Sequence, residues 1–291
     1  MPFSSDPDPD PDPCSDIRPS PIAGRWYSGN PQQLSQQIDD FLEKATIPVL
    51  DDEIIALIAP HAGHQYSGKT AGHAFRTILG KQYDLIVIIS PFHAPHSASI
   101  LTTAHQAYTT PLGTIPIDRN ALQELKNLLD KKGFNMVSIR NDGEHSLEIQ
   151  LPFLQRALKG NFNILPLMVR NQNQSLPKEL GLSLAKILQP IKSLIIASTD
   201  LSHFHPQSIA NALDHEMMKQ FSSLSPEGVL SAERNGTGFA CGAFGVAAAI
   251  WAAKALGANA VEHLHYSTSA EQTGDRSSVV GYGASAIIKR Q

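Results

Sequence analysis

Four short, almost unbroken apolar runs punctuate the chain, at residues 54–59 (IIALIA), 85–90 (LIVIIS), 164–169 (ILPLMV) and 194–198 (LIIAS). Runs of this length without polar alternation suit parallel strands covered on both faces. Stretches with helical spacing lie between them, at 69–79, 119–131, 144–158 and 177–188. The second of these gathers Ala121, Leu122, Leu125, Leu128 and Leu129 on one face. Strand–helix alternation with two-sided burial predicts an α/β fold, a single-domain three-layer αβα sandwich with right-handed crossovers around a mostly parallel central sheet. Residues 100–117, which hold the turn Pro111-Leu112-Gly113, read as an antiparallel excursion. Late in the chain, 241–256 reads as an Ala-rich buried helix. The segments 261–267 and 279–288 read as antiparallel additions to the sheet.

Composition narrows this picture. Hydrophobic residues make up 42% of 291, enough for a substantial core. The Ala-rich uncharged run 238–253 falls short of the roughly 20 apolar residues a bilayer needs, so no membrane span is expected. The net charge is −4 with no Lys/Arg block, which argues against nucleic acid or an acidic membrane as a partner. Cys14 and Cys241 are too few for a disulfide framework, and no basic-then-apolar leader opens the chain. Both features suit a cytoplasmic protein. Residues 1–20, with Asp and Pro alternating from Asp6 to Pro13, are predicted to form a disordered tail, leaving 21–291 as the folded domain.

Ligand sites of open α/β sheets lie beyond the carboxyl ends of their strands. Candidate site residues are therefore sought just past each apolar run. The first run leads into His61 and His64, the second into His93 and His96, the last into Asp200, His203 and His205. A lone histidine in such a place is usually a satisfied polar residue. Three strands delivering one to the same edge point to a site, since imidazole is the commonest transition-metal ligand at neutral pH. Residues 141–148 (NDGEHSLE) read as a helix start with Asp142 as N-cap and His145 near a polar pocket; Glu144 and Glu148 read equally as ordinary helix carboxylates, a first-turn acid and an exposed one, or as part of the site. Cys241 sits among small residues at another helix start, where the thiol pKa falls and the metal-binding thiolate is favoured. His64, His73, His96, His105, His205, His215, His263 and His265 read as structural, the last two alternating along one solvated strand face.

The motifs APHAG (59–63), SPFH (90–93), EHSLEIQLP (144–152), STDLSH (198–203) and CG (241–242) occur in this order, preceded by IAGRWY (22–27). With them the chain resembles the Memo family, whose bacterial and archaeal members are called AmmeMemoRadiSam system protein B. The likeness runs from Ile22 to the C-terminus. It implies a fold shared with class III extradiol ring-cleaving dioxygenases, which hold non-haem iron with two histidines and a carboxylate. In Memo proteins a cysteine takes the carboxylate's place. The resemblance thus implies His61, His93 and Cys241 as metal ligands, for iron or copper foremost and zinc as a third candidate. It places Asp200 and His203 in the pocket, His203 at the acid/base position, with His145 as a further pocket residue. The function it implies is a metal-site protein acting on a small organic molecule. A scaffold that binds a peptide or protein partner in its cleft is the alternative, and ring cleavage is the remotest because a thiolate replaces the carboxylate. Radical S-adenosylmethionine and AMMECR-type proteins are the implied partners.

Overall fold

A computed structural model describes residues 16–170 and 173–290 of the chain. Its strands are β1 (Ile17–Arg18), β2 (Glu53–Ala59), β3 (Leu85–Pro91), β4 (Ile100–Thr103), β5 (Ala107–Thr110), β6 (Gly113–Pro116), β7 (Met136–Ile139), β8 (Asn163–Val169), β9 (Ser193–Ser198), β10 (His203–His205), β11 (Ala260–Thr268) and β12 (Val279–Lys289). Its helices are α1 (Pro31–Lys44), α2 (His64–Arg76), α3 (Arg119–Asp130), α4 (Leu151–Ala157), α5 (Leu176–Leu188), α6 (Gln207–Ser222), α7 (Pro226–Asn235), α8 (Ala243–Ala255) and α9 (Ala270–Thr273).

The four apolar runs form β2, β9, β3 and β8, which lie side by side and parallel at the centre of the main sheet. Nearly every residue in them is buried, as two-sided coverage requires. Antiparallel strands extend this core on both sides, β12 beside β2 and β4 beside β8. β10 and β11 both pair antiparallel with β12. The excursion after β3 supplies β4 and the β5–β6 hairpin, and β1 joins β5 in a separate three-stranded sheet. Buried apolar side chains from the helices and the sheet form one continuous cluster. The architecture is thus the expected αβα sandwich. Among the described residues, no helix is long and apolar enough to cross a membrane.

α8 is apolar all round because it is buried all round, packed on α5 and on the central strands. The α5–α8 crossing depends on Gly181, where an added Cβ would lie 2.5 Å from both the Ala248 carbonyl oxygen and the Trp251 Cβ.

Several expectations change. The segment 144–158 is not one helix: it is a loop, a short 3₁₀ turn at Glu148–Gln150, and then α4. Pro152 has no N–H to give, so a helix accepts it only in the first turn, and α4 starts at Leu151. Asp142 accordingly caps no helix. α2 begins five residues earlier than expected, directly at His64. A bulge between His263 and His265 breaks their regular alternation. His263 is exposed, whereas His265 is half-buried with its ring stacked on that of His73, 4.1 Å away.

The boundary placed at residue 20 also moves. Residues 1–15 lie outside the described part, but Asp16–Ser20 is folded onto the domain. Asp16 accepts from Arg140 and from the ring of His105, and Ile17 and Arg18 form β1. Arg18 is 1% exposed. Its guanidinium donates to the Asp142 carboxylate at 2.7 Å, to Glu148 Oε2 at 2.6 Å and to the Glu144 carbonyl at 3.0 Å. A buried cation needs such a set of acceptors, and the two buried carboxylates need the cation.

Arg18→Met is therefore expected to cost about 3–5 kcal/mol in urea unfolding, because it leaves Asp142 and Glu148 buried without their counter-charge. A loss below about 1 kcal/mol would show that the two carboxylates find water or protons instead.

Candidate metal centre

The carboxyl ends of β2, β3 and β9 deliver His61, His93 and Asp200 to one cleft, and the loop before α4 adds His145. One ring nitrogen from each of His61, His93 and His145 lies within 4.8 Å of the other two. The rings brace one another: His93 and His145 are stacked at 4.7 Å, and His61 meets both edge-on at 5.5 Å. Trp26 covers the far face of the pair by stacking on His145 at 4.0 Å.

The hydrogen bonds behind the rings fix which nitrogen faces the cleft. Ser198 spends its single proton on the Ser146 carbonyl, at 2.6 Å. It must then accept from His61 Nδ1, 3.0 Å away, and from the Gln150 side-chain amide at 2.8 Å. Nδ1 of His61 is consequently the protonated one, and the Nε2 lone pair is left for the site. His93 repeats the pattern with a carboxylate. Its Nδ1–H donates to Glu144 Oε1 at 2.9 Å and its backbone N–H donates to Oε2 at 2.7 Å. Histidines that hold metals are oriented by such partners.

Glu144 and Glu148 are not ordinary helix carboxylates, which was one of the two readings the sequence left open. Both are buried, at 5% and 0% exposure. Burial alone would raise the Glu144 carboxyl, but the His93 imidazole and the backbone N–H groups of His93 and Ser146 hold it well below the usual range. Glu148 accepts from Arg18, Tyr27 and Ser20. Sequence reading missed both roles. The one usable signal was the EH pair at 144–145, with a carboxylate beside a histidine already assigned to the pocket.

Cys241 stands two residues before α8, its Sγ 3.1 Å from His61 Nε2. Gly242 permits this, because a Cβ there would lie 2.4 Å from the Ser198 carbonyl oxygen. The thiol is not activated by the helix start as expected. Burial pushes it up, and the neighbouring Asp200 pushes it further. Desolvation thus outweighs the helix N-terminus in the metal-free protein. The Asp200 backbone N–H, 3.3 Å from Sγ, donates to the sulfur.

Asp200 is itself buried. Its Oδ1 accepts from the backbone N–H groups of His61 and Ala62 at 2.7 and 3.3 Å, and Oδ2 lies 4.0 Å from His61 Nε2. Burial raises its carboxyl to about 7 despite those bonds. His203 opens β10 and lines the same cleft, its ring edge-on to Phe239. Burial lowers its titration, as does the charge of His93. The cleft has a volume of about 820 Å³ and an aromatic wall that includes Trp26, Tyr66, Phe204 and Tyr282. All six residues singled out from the sequence thus lie at one place. The structure groups His145 with His61 and His93 more tightly than the sequence did, and brings Cys241 in against His61.

The donor set suits a transition metal. Burial, with the charges of neighbouring imidazoles, keeps His61 well below its ordinary titration, and burial brings His145 down to about 4. Both imidazoles are therefore neutral and able to donate at pH 7. A soft sulfur sits beside them.

Comparison with known proteins finds relatives along nearly the whole described chain. The profile of the family described as Memo-like protein matches residues 18–286. A MEMO1 family protein of Nitrosopumilus maritimus is 33% identical over 276 residues, covering 94% of this chain and all of its own length. A second, from Methanothermobacter thermautotrophicus, is 33% identical over 277 residues, 91% of this chain and 98% of its own. One from Methanosarcina barkeri is 31% identical over 270 residues, with 92% and 98% covered.

A buried histidine outside the metal donors also predicts how the metal-free protein responds to acid. His64, the first residue of α2, is held neutral by burial, which lowers its titration to about 4 although its ring N–H donates to the Ile149 carbonyl. Its unfolded value is about 6.5. Between those two values the unfolded chain takes up a proton that the folded one refuses, so stability is full above pH 6.5 and is lost as pH falls toward 4. His64→Asn should flatten this slope in urea titrations at a series of pH values. An unchanged slope would mean that His64 does not contribute to acid sensitivity.

Proposed function

The chain belongs to the Memo-like protein family, and on that premise we propose that it is a metal-site protein holding iron or copper through His61, His93 and Cys241. The observation that carries this reading is the pair of hydrogen bonds behind the site, which engage Nδ1 of His61 and of His93 and leave their Nε2 atoms for a metal, that of His61 beside the Cys241 sulfur. When bound, such a metal supplies one-electron redox chemistry and Lewis acidity. The remaining work falls to the chain's own side chains.

The cleft admits a small organic substrate between the aromatic wall and the histidines. Asp200, with its carboxyl raised to about 7, can take or give a proton near neutral pH. The His203 ring makes no hydrogen bond to other described residues, so it is available to a bound molecule as acid or base. His145, stacked between Trp26 and His93, either supplies a further donor or orients the substrate. Thiolate in place of a carboxylate separates this site from the two-histidine, one-carboxylate arrangement of ring-cleaving iron enzymes.

A second reading, a cleft for a peptide, rests on Phe204. This ring is 75% exposed at the cleft rim and its backbone is held at φ +61°, a strained conformation for a bulky residue.

Anaerobic titrations with iron(II), copper(I) and zinc(II) separate the donors. His61→Ala, His93→Ala and Cys241→Ser should each weaken binding by at least tenfold, and Cys241→Ser should weaken copper(I) most because a hydroxyl is a hard ligand. His205→Ala and His263→Ala should bind like wild type. If His145→Ala abolishes binding while Cys241→Ser leaves it intact, the metal belongs to the three histidines alone. If all three ligand variants bind like wild type, the cleft is not a metal site.

A further inference from the structure

A second cavity, of about 990 Å³, opens at the opposite end of the central strands from the histidines. It is bounded by the starts of β2 and β9 (Glu53 and Ser193), the end of β12 (Lys289), the last turns of α5 and α8, and the loop from Gly80 to Tyr83. Four lysines line it: Lys81, Lys186, Lys192 and Lys289. Glu53 is the one carboxylate in the lining, and it lies 4.0 Å from Lys289. Lys81, Lys186 and Lys192 have no carboxylate within 4.0 Å among the described residues.

Lysines at helix C-termini are often no more than complements to the helix dipole, and α5 and α8 both end here. That dipole is too small to account for four. Two helix ends carry about half a negative charge each. Together with Glu53 they neutralise about two of the four ammonium groups, and about two positive charges remain. Lys81 is also half-buried, and burial lowers its pKa, so its charge is partly desolvated without an anion beside it. The walls are held in place, since Asp84 N–H donates to the Lys192 carbonyl at 2.8 Å and Gly80 N–H donates to the Ala157 carbonyl at 2.7 Å.

The floor between the lysines is apolar. Leu182, Ile191 and Leu256 give it exposed apolar surface, Leu182 at 36%, and the buried Leu188 and Tyr83 complete it. A charged rim over an apolar floor selects a ligand with both characters. Separated ammonium groups act as point charges and suit an anion whose charges are spread over several oxygens. The size is that of a small-molecule pocket rather than a site for a bare ion. The geometry points to a second binding site, independent of the metal centre, for a multiply charged organic phosphate whose apolar or planar body lies on this floor.

Adenosine triphosphate, tripolyphosphate and adenosine are the probes, titrated calorimetrically into the full-length protein. Adenosine triphosphate should bind saturably, tripolyphosphate at least threefold more weakly, and adenosine more weakly still. The double variant Lys81→Gln/Lys192→Gln should weaken adenosine triphosphate at least tenfold, whereas Lys44→Gln/Lys126→Gln should leave it unchanged. In wild type, bound adenosine triphosphate should slow acetylation of Lys81 and Lys192 at least threefold relative to Lys126, measured by mass spectrometry. This second readout does not depend on the variant folding. The site is overturned if adenosine triphosphate fails to saturate, if acetylation is slowed equally at Lys126, or if the lysine variant binds like wild type. Equal affinity for tripolyphosphate would overturn the role of the apolar floor.

Discussion

Asp142 and Glu148 flank Glu144 in sequence with their carboxylates buried, where water cannot stabilise their charge. The side chain of Arg18 can, reaching them from a two-residue strand some 125 positions earlier in the chain. The same guanidinium accounts for the Glu144 backbone carbonyl. Once that loop is clamped, Glu144 can hold both the ring and the backbone of His93, and His145 can be turned toward the cleft. The position of the histidines thus depends on a buried ion network that touches none of the proposed metal donors except through Glu144. Such a network is costly to assemble and more costly to break halfway, which suits the proposed metal site, whose donors would have to hold their positions before an ion binds.

A second constraint is the crowding at the end of β9. Ser198, Thr199 and Asp200 satisfy groups on three other segments: Ser198 serves His61 and Gln150, Thr199 Oγ accepts from Gly242 N–H, and Asp200 receives two backbone N–H groups from the β2 loop. This cluster brings the cysteine at the head of α8 against a histidine 180 residues earlier. The thiol there is uncharged in the metal-free state because burial outweighs the helix start. A positive ion shared with His61 would reverse that balance, as metal binding displaces the proton from a coordinating thiol.

The central sheet was legible because two-sided burial writes an unbroken apolar run, which few other structures produce. The gathering of His61, His93, Asp200 and His203 was legible for the same reason, since strand ends in an α/β sheet face one edge. Helices with a narrow buried stripe were harder to read. α1 buries only Leu34, Ile38 and Leu42 among glutamines and aspartates, although Asn30 and Pro31 mark its start. α6 and α7 were missed in the same way. β1 has only two residues and no periodicity to detect. The ambiguity of Glu144 and Glu148 has a different origin. Their spacing fits a helix, and nothing local reveals that Arg18, Ser20 and Tyr27 fold back onto the loop that carries them.

X-ray absorption at the zinc edge of the zinc-loaded protein reads the proposed centre most directly, because zinc accepts both nitrogen and sulfur donors and adds no redox change. Donation by His61, His93 and Cys241 predicts one sulfur at about 2.3 Å together with imidazole nitrogens at about 2.0–2.1 Å. A shell of nitrogen and oxygen alone, with no sulfur, would contradict it and leave Cys241 as a buried thiol packed beside a three-histidine site.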